Sequence, residues 1–220
     1  MLKYIFLFFA ALGILDCGTE PGNEVKVSGA MKNVMWKGEL YGTIYLDTIP
    51  DKQHLYGLGP AEYLAGEILI IDGRSFISTI KNENEISVEE TYKISAPFFV
   101  YSNVPEWTEH DLPDSITNIK QLEKYLDGVT QNSKRPFAFK LTGEIETGSL
   151  HIVNLPKGAE VHSPEDVRKE AASFKMSKEQ VQVIGFFSTE HKGIFTHHDT
   201  YLHMHVITSD NKKMGHLEDM

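Results

Sequence analysis

Short apolar runs interrupted at regular intervals by turn-forming residues are the feature that most limits what this chain can fold into. "GELYGTIYL" (38–46), "GEILIIDG" (66–73), "SFISTI" (75–80), "APFFVYS" (96–102), "RPFAFKLTGEI" (135–145), "SLHIVNL" (149–155), "VQVIGFFST" (181–189) and "TYLHMHVIT" (200–208) are each rich in β-branched and aromatic residues and bounded by Gly, Pro, Asn or Asp. Such segments are strands, too short and too frequently punctuated for a helical bundle. Only two stretches carry helical spacing. Residues 115–129 place Ile116, Ile119, Leu122, Tyr125 and Leu126 on one face, and residues 163–175 open with Ser-Pro and acidic residues, which suits a helix start. The class expected is mostly β with a few helices.

The amino terminus reads differently. An apolar stretch from Tyr4 to Leu15 follows a single lysine; it is too short to cross a bilayer as a helix and has the form of an export signal. Cys17, the sole cysteine, stands where that run ends, so residues 1–16 are expected to be a signal peptide of the bacterial lipoprotein kind and 17–24 a linker after a lipidated cysteine. Asp16 departs from the small residue usual before such a cysteine. The expected location is the cell envelope, with membrane contact only through the lipid on Cys17. Residues 25–220 would then form the domain, held by its core, since one cysteine allows no internal disulfide. The net charge of −10 disfavours nucleic acid as a partner.

Near the carboxyl terminus, "YLHMHVITSDNKKMGH" (201–216) sets three histidines at His-x-His-x10-His spacing. On a strand, alternation puts Tyr201, His203, His205 and Ile207 on one side and Leu202, Met204 and Val206 on the other. The apolar side is core, which makes the histidine side a lining. "SDNKKMG" supplies reversal residues that can bring His216 back beside the pair. Three imidazoles without a thiolate suit a borderline ion such as Zn²⁺ and leave a coordination position open, as in catalytic sites. "HHD" (197–199) reads as a loop and "EHD" (109–111) as a solvated turn.

Four blocks in order carry a resemblance. "YGLGPAEYLAGEILIIDG" (56–73), "APFFVYSNVPEW" (96–107), "RPFAFKLTGEI" (135–145) and "VIGFFSTEHKGIFTHHDTYLHMHVITSDNKKMGHLED" (183–219) resemble the alpha-acetolactate decarboxylase family. The resemblance implies a mixed, β-rich α/β fold of two packed lobes built on β-sheets. It implies one Zn²⁺ held by His203, His205 and His216, with Glu67 as the family's glutamate, and decarboxylation of a small 2-hydroxy-3-oxo acid to acetoin. A homodimer is compatible with it. Two departures stand out. His151 occupies, or adjoins, the place of the family's essential arginine, leaving Lys140, Arg135 or His151 to substitute, and the chain stops at Met220, before the family's further active-site glutamate. A noncatalytic zinc- or ligand-binding lipoprotein of the same fold is therefore one alternative. A cupin-like metal oxygenase is another, lower one, because the glycine and glutamate expected around its His-x-His are missing.

Overall fold

The computed structural model describes residues 2–7, 24–82 and 85–220. In chain order it contains β1 (Leu2–Leu7), β2 (Lys26–Gly29), α1 (Met31–Lys37), β3 (Ile44–Tyr45), β4 (Leu55–Pro60), β5 (Glu67–Ile71), β6 (Arg74–Asn82), β7 (Glu85–Glu90), β8 (Ser95–Ala96), β9 (Phe98–Asn103), β10 (Thr108–Asp111), α2 (Ile119–Val129), β11 (Phe137–Val153), α3 (Pro164–Lys169), β12 (Ala171–Phe187), β13 (Leu202–Thr208) and β14 (Met214–Asp219). They form a mixed, β-rich fold of two packed sheets. One has the order β2-β9-β4-β5-β6-β7 and the other β10-β1-β11-β12-β13-β14, with β3 and β8 as a small separate pair.

The second sheet returns on itself. β14 pairs with β13 through His205↔His216 and with the second half of β11 through His151↔His216. β12 in turn pairs with β11 through Ser173↔His151 and with β13 through Ile184↔His205. The four strands therefore close a ring. His205, His216, His151 and Ser173 lie in one register row across β13, β14, β11 and β12.

Between the sheets, Leu58, Leu69, Phe76 and Val100 of the first pack against Ala138, Ile184, Phe186 and Ile207 of the second. On the other side of the second sheet, Leu122 and Leu126 of α2 close over Phe139, Leu150, Met204 and Val206. α1 and α3 meet around Met31, Val34, Val153 and Val167. β13 is consequently buried on both faces, so its histidine side faces the interior rather than an open groove.

Several sequence expectations shift here. The two segments expected at 135–145 and 149–155 merge into one 17-residue strand, β11, which runs from Phe137 to Val153. The helix expected over 163–175 ends at Lys169, after a capping box between Ser163 and Asp166, and Ala171 begins the equally long β12. Ala, Lys and Glu favour a helix locally, but pairing along the whole of β11 overrides that preference. The helix at 115–129 starts later, at Ile119, where the Asn118 side chain accepts a hydrogen bond from the Gln121 amide. "GELYGTIYL" is extended only at Ile44–Tyr45, and "EHD" is not a turn but part of the exposed edge strand β10. The short α1 was not legible in the sequence.

At the amino terminus, Leu2–Leu7 lies as a strand between β10 and β11, with Ile5 and Leu7 buried. Cys17, the linker and the rest of the expected leader lie outside the described residues.

Candidate metal centre

β13 and β14 converge on three imidazoles whose ligating nitrogens all lie within 4.8 Å of one another: His203, His205 and His216. The "TSDNK" reversal that returns β14 is held by Asp210, which accepts from the Thr208 hydroxyl at 2.7 Å and from the Lys212 amide at 3.1 Å. Each imidazole is positioned differently. His205 uses Nδ1 to donate to the Ile68 carbonyl of β5 at 2.9 Å. That bond fixes its tautomer and leaves the Nε2 lone pair facing inward. His203 packs against Phe98 of the first sheet, with ring centroids 6.0 Å apart. His216 is partly open to solvent, and its ring lies 5.0 Å from that of His203 and 5.5 Å from that of His205.

Two buried nitrogens here, His203 Nδ1 and His205 Nε2, have no hydrogen-bond partner. A buried orphan of this kind costs about 1–3 kcal/mol, and two converging on one point are what a cation would satisfy. The residues present thus fit a metal ion. Burial, followed by the neighbouring imidazoles, holds His203 and His216 well below the ordinary histidine range, and burial lowers His205 to about 3. All three are neutral at neutral pH, the form that ligates.

Glu67 enters from the other sheet. Gly66, at φ 150°, turns the chain into β5, and a Cβ there would meet the Ser78 carbonyl at 2.3 Å. The turn delivers a buried carboxyl whose Oε2 lies 3.5 Å from His205 Nε2 and whose Oε1 accepts from the Val153 amide at 3.2 Å. Desolvation, opposed by His151 and by the Val153 bond, raises its pKa to about 7.

His151 of β11 stacks on His216 with ring centroids 4.6 Å apart. The two other candidates for the missing arginine lie elsewhere. Arg135 pairs with Asp127 at 2.7 Å, and Lys140 sits over Phe6 and Trp107. Neither lines the cavities at the histidines.

Sequence reading missed two groups. His197, placed in a loop, does lie outside regular structure, yet its ring packs 5.2 Å from His216 and 6.0 Å from His203, with burial lowering its pKa to about 4. Glu218 bonds His151. Nothing in the spacing signals it, because the ladder between β11 and β14 shifts register at that residue. The centre opens past Met35, Val153 and His197 into a cleft of about 390 Å³, to whose wall α1 and α3 contribute Lys32, Val167 and Arg168.

The family model of alpha-acetolactate decarboxylase matches residues 29–220. The chain belongs to the alpha-acetolactate decarboxylase family. Its fold is similar to that of the alpha-acetolactate decarboxylase of Bacillus subtilis strain 168, with TM-score 0.73 and 18% identity over 89% of this chain and 80% of that one. The acetolactate decarboxylase of B. subtilis subspecies spizizenii gives TM-score 0.72 at 19% identity, with the same coverage of both chains. A Staphylococcus aureus protein of unknown function, described as similar to alpha-acetolactate decarboxylase, gives 0.69 at 16%, again covering 89% of this chain and 80% of its own. No curated protein matches the sequence. Membership makes this alpha-acetolactate decarboxylase relative a carboxy-lyase, and its fold is that of the decarboxylases rather than of a cupin.

Proposed function

We propose that the protein is a zinc-dependent decarboxylase that converts 2-acetolactate, or a closely related 2-hydroxy-3-oxo acid, to acetoin and CO₂. The observation that carries this reading is the pair of orphaned imidazole nitrogens converging beside a protonatable, buried Glu67. His203, His205 and His216 would hold the ion. Zinc suits three neutral imidazoles with one position left open. Bound there, it would supply Lewis-acid stabilisation of the negative charge that develops on the ketone oxygen as CO₂ departs.

The remaining work falls to the chain. Loss of CO₂ leaves an electron pair shared between C2 and the former ketone, and C2 must gain a proton to become acetoin. Glu67, carrying its proton up to about pH 7, is the donor in this reading, because desolvation keeps it in the acid form. His151 contacts the substrate in place of the family's arginine. Lys32 and Arg168 give the outer cleft cationic groups that attract the substrate's carboxylate. Export and lipid attachment at Cys17 belong to the same proposal and rest on the sequence.

The test is acetoin and CO₂ formation from 2-acetolactate by the purified protein, together with elemental analysis. About one zinc per chain and turnover above a zinc-in-buffer control are expected. Stoichiometric iron or manganese would overturn the choice of metal. Zinc without turnover of any 2-hydroxy-3-oxo acid would leave a noncatalytic binding protein.

A further inference from the structure

β14 carries one residue more than its partner. Leu217 faces Leu150 and Asp219 faces Ser149, so Glu218 has no counterpart on β11 and forms a bulge. Bulges redirect a side chain out of the normal alternation, and this one aims a carboxylate at the mouth of the metal centre. Glu218 Oε1 lies 3.1 Å from His151 Nδ1, and its Oε2 accepts from the Ser173 hydroxyl at 2.8 Å. His216, His151 and Ser173 belong to the same register row, so the contact is built into the ring of strands.

An ionised carboxylate only accepts hydrogen bonds. In the neutral form of His151, Glu218, which also accepts from the Ser173 hydroxyl, places the ring proton on Nδ1 and leaves Nε2 as an acceptor. Among the described residues Nε2 has no hydrogen-bond partner, while the ring lines the inner cavity with Glu67, His203 and His216 as well as the outer cleft. We propose that Glu218 is a positioning residue: by holding His151 through Nδ1 it presents Nε2 to the substrate's 2-hydroxyl, making the site selective for 2-hydroxy-3-oxo acids over plain 3-oxo acids. The inference rests on the decarboxylase reading of the site and names the part of the substrate that this pair reads.

The chemical consequence is stereoelectronic. The C2–carboxylate bond breaks most readily when it stands perpendicular to the plane of the adjacent ketone, where its electrons flow into the carbonyl. Pinning the 2-hydroxyl near that plane forces the carboxylate out of it. A hydrogen bond from hydroxyl to imidazole thus selects the reactive rotamer, a case of orientation by a group that does not itself react.

Two measurements test this. For the first, rates are compared for 2-hydroxy-2-methyl-3-oxobutanoate and for 2-methyl-3-oxobutanoate, which lacks the hydroxyl, each corrected for spontaneous loss of CO₂. The hydroxylated acid should be favoured in kcat/KM, and E218A should collapse that ratio by about tenfold, the range of a single hydrogen bond. E218Q, whose amide oxygen still accepts from Nδ1, should recover part of it. The second measurement is binding of the unreactive 2,3-dihydroxy-2-methylbutanoate against 3-hydroxy-2-methylbutanoate, alongside ¹⁵N NMR of the His151 ring. Wild type should prefer the first compound and show a proton on Nδ1, and E218A should lose both properties. A hydroxyl preference unchanged in E218A, or equal losses on both substrates with no tautomer change, overturns the proposal. A Glu218-dependent binding preference in a wild-type protein that releases no CO₂ would uphold it while removing the decarboxylase reading.

Discussion

At the scale of single residues, Glu67 and His205 face each other across the boundary between the two sheets, and their replacements separate two roles. Glu67→Gln keeps the shape but offers no acidic proton, so turnover should fall by about a hundredfold or more while bound metal stays near wild type. His205→Ala removes the imidazole fixed by Ile68 and should lose both metal and activity. The checks are metal content and acetoin formation on the same preparations; full activity in Glu67→Gln would remove its proton role. The meeting of His203, His205 and His216 was legible because strand alternation and a reversal are local properties of sequence, whereas Glu67 was reached only through the Gly-Glu block of the resemblance. His197 and Glu218 were not read, since one reaches the site from an irregular segment and the other from a strand bulge. Neither feature follows from periodicity. His151 was reached only through the place of a missing arginine, and the ladder pairing that stacks it on His216 involves residues 65 apart in the chain.

Among the elements, the reversal between β13 and β14 and the turn into β5 each have a single weak point. At Asp210 the pKa is lowered from 3.8 to about 2 first by the Thr208 hydroxyl and then by the Lys212 amide, while burial acts weakly in the opposite direction and is outweighed. A depressed carboxylate stabilises the fold above its unfolded pKa and stops doing so as pH falls through the folded value. Asp210→Ala should therefore lower the melting temperature at pH 7, and its gap from wild type should narrow as pH drops from about 4 toward about 2. Thermal melts across that window decide it. Gly66→Ala places a methyl group against the Ser78 carbonyl at a φ that side chains avoid, so β5 must shift and carry Glu67 with it. Activity should drop markedly with metal content nearly intact; an unaffected rate would show that the approach of Glu67 tolerates movement. At this scale the sequence misled most at 171–175, where composition favours a helix and the partner strand, beginning more than thirty residues earlier, decides otherwise.

For the whole molecule, the mixed β-rich class was readable from the punctuation of the chain, whereas the closure of β11 to β14 was not, because it depends on pairings between distant segments. The amino terminus puts two demands on one stretch. Cleavage before Cys17, as the sequence suggests, would remove β1 from between β10 and β11 and uncover an edge of each. Mass spectrometry of the native protein checks this: a lipidated chain starting at Cys17 is expected from the signal pattern, and an intact Met1 would show β1 retained. The closed ring also sets a schedule. Its last strand carries His216, and the row it completes draws on residues from 151 onward. A place for an ion at these histidines therefore comes into being only once residue 216 has been made and paired. A polypeptide threaded unfolded through a membrane could not bring its metal along, and would have to acquire it from whatever supply exists on the far side.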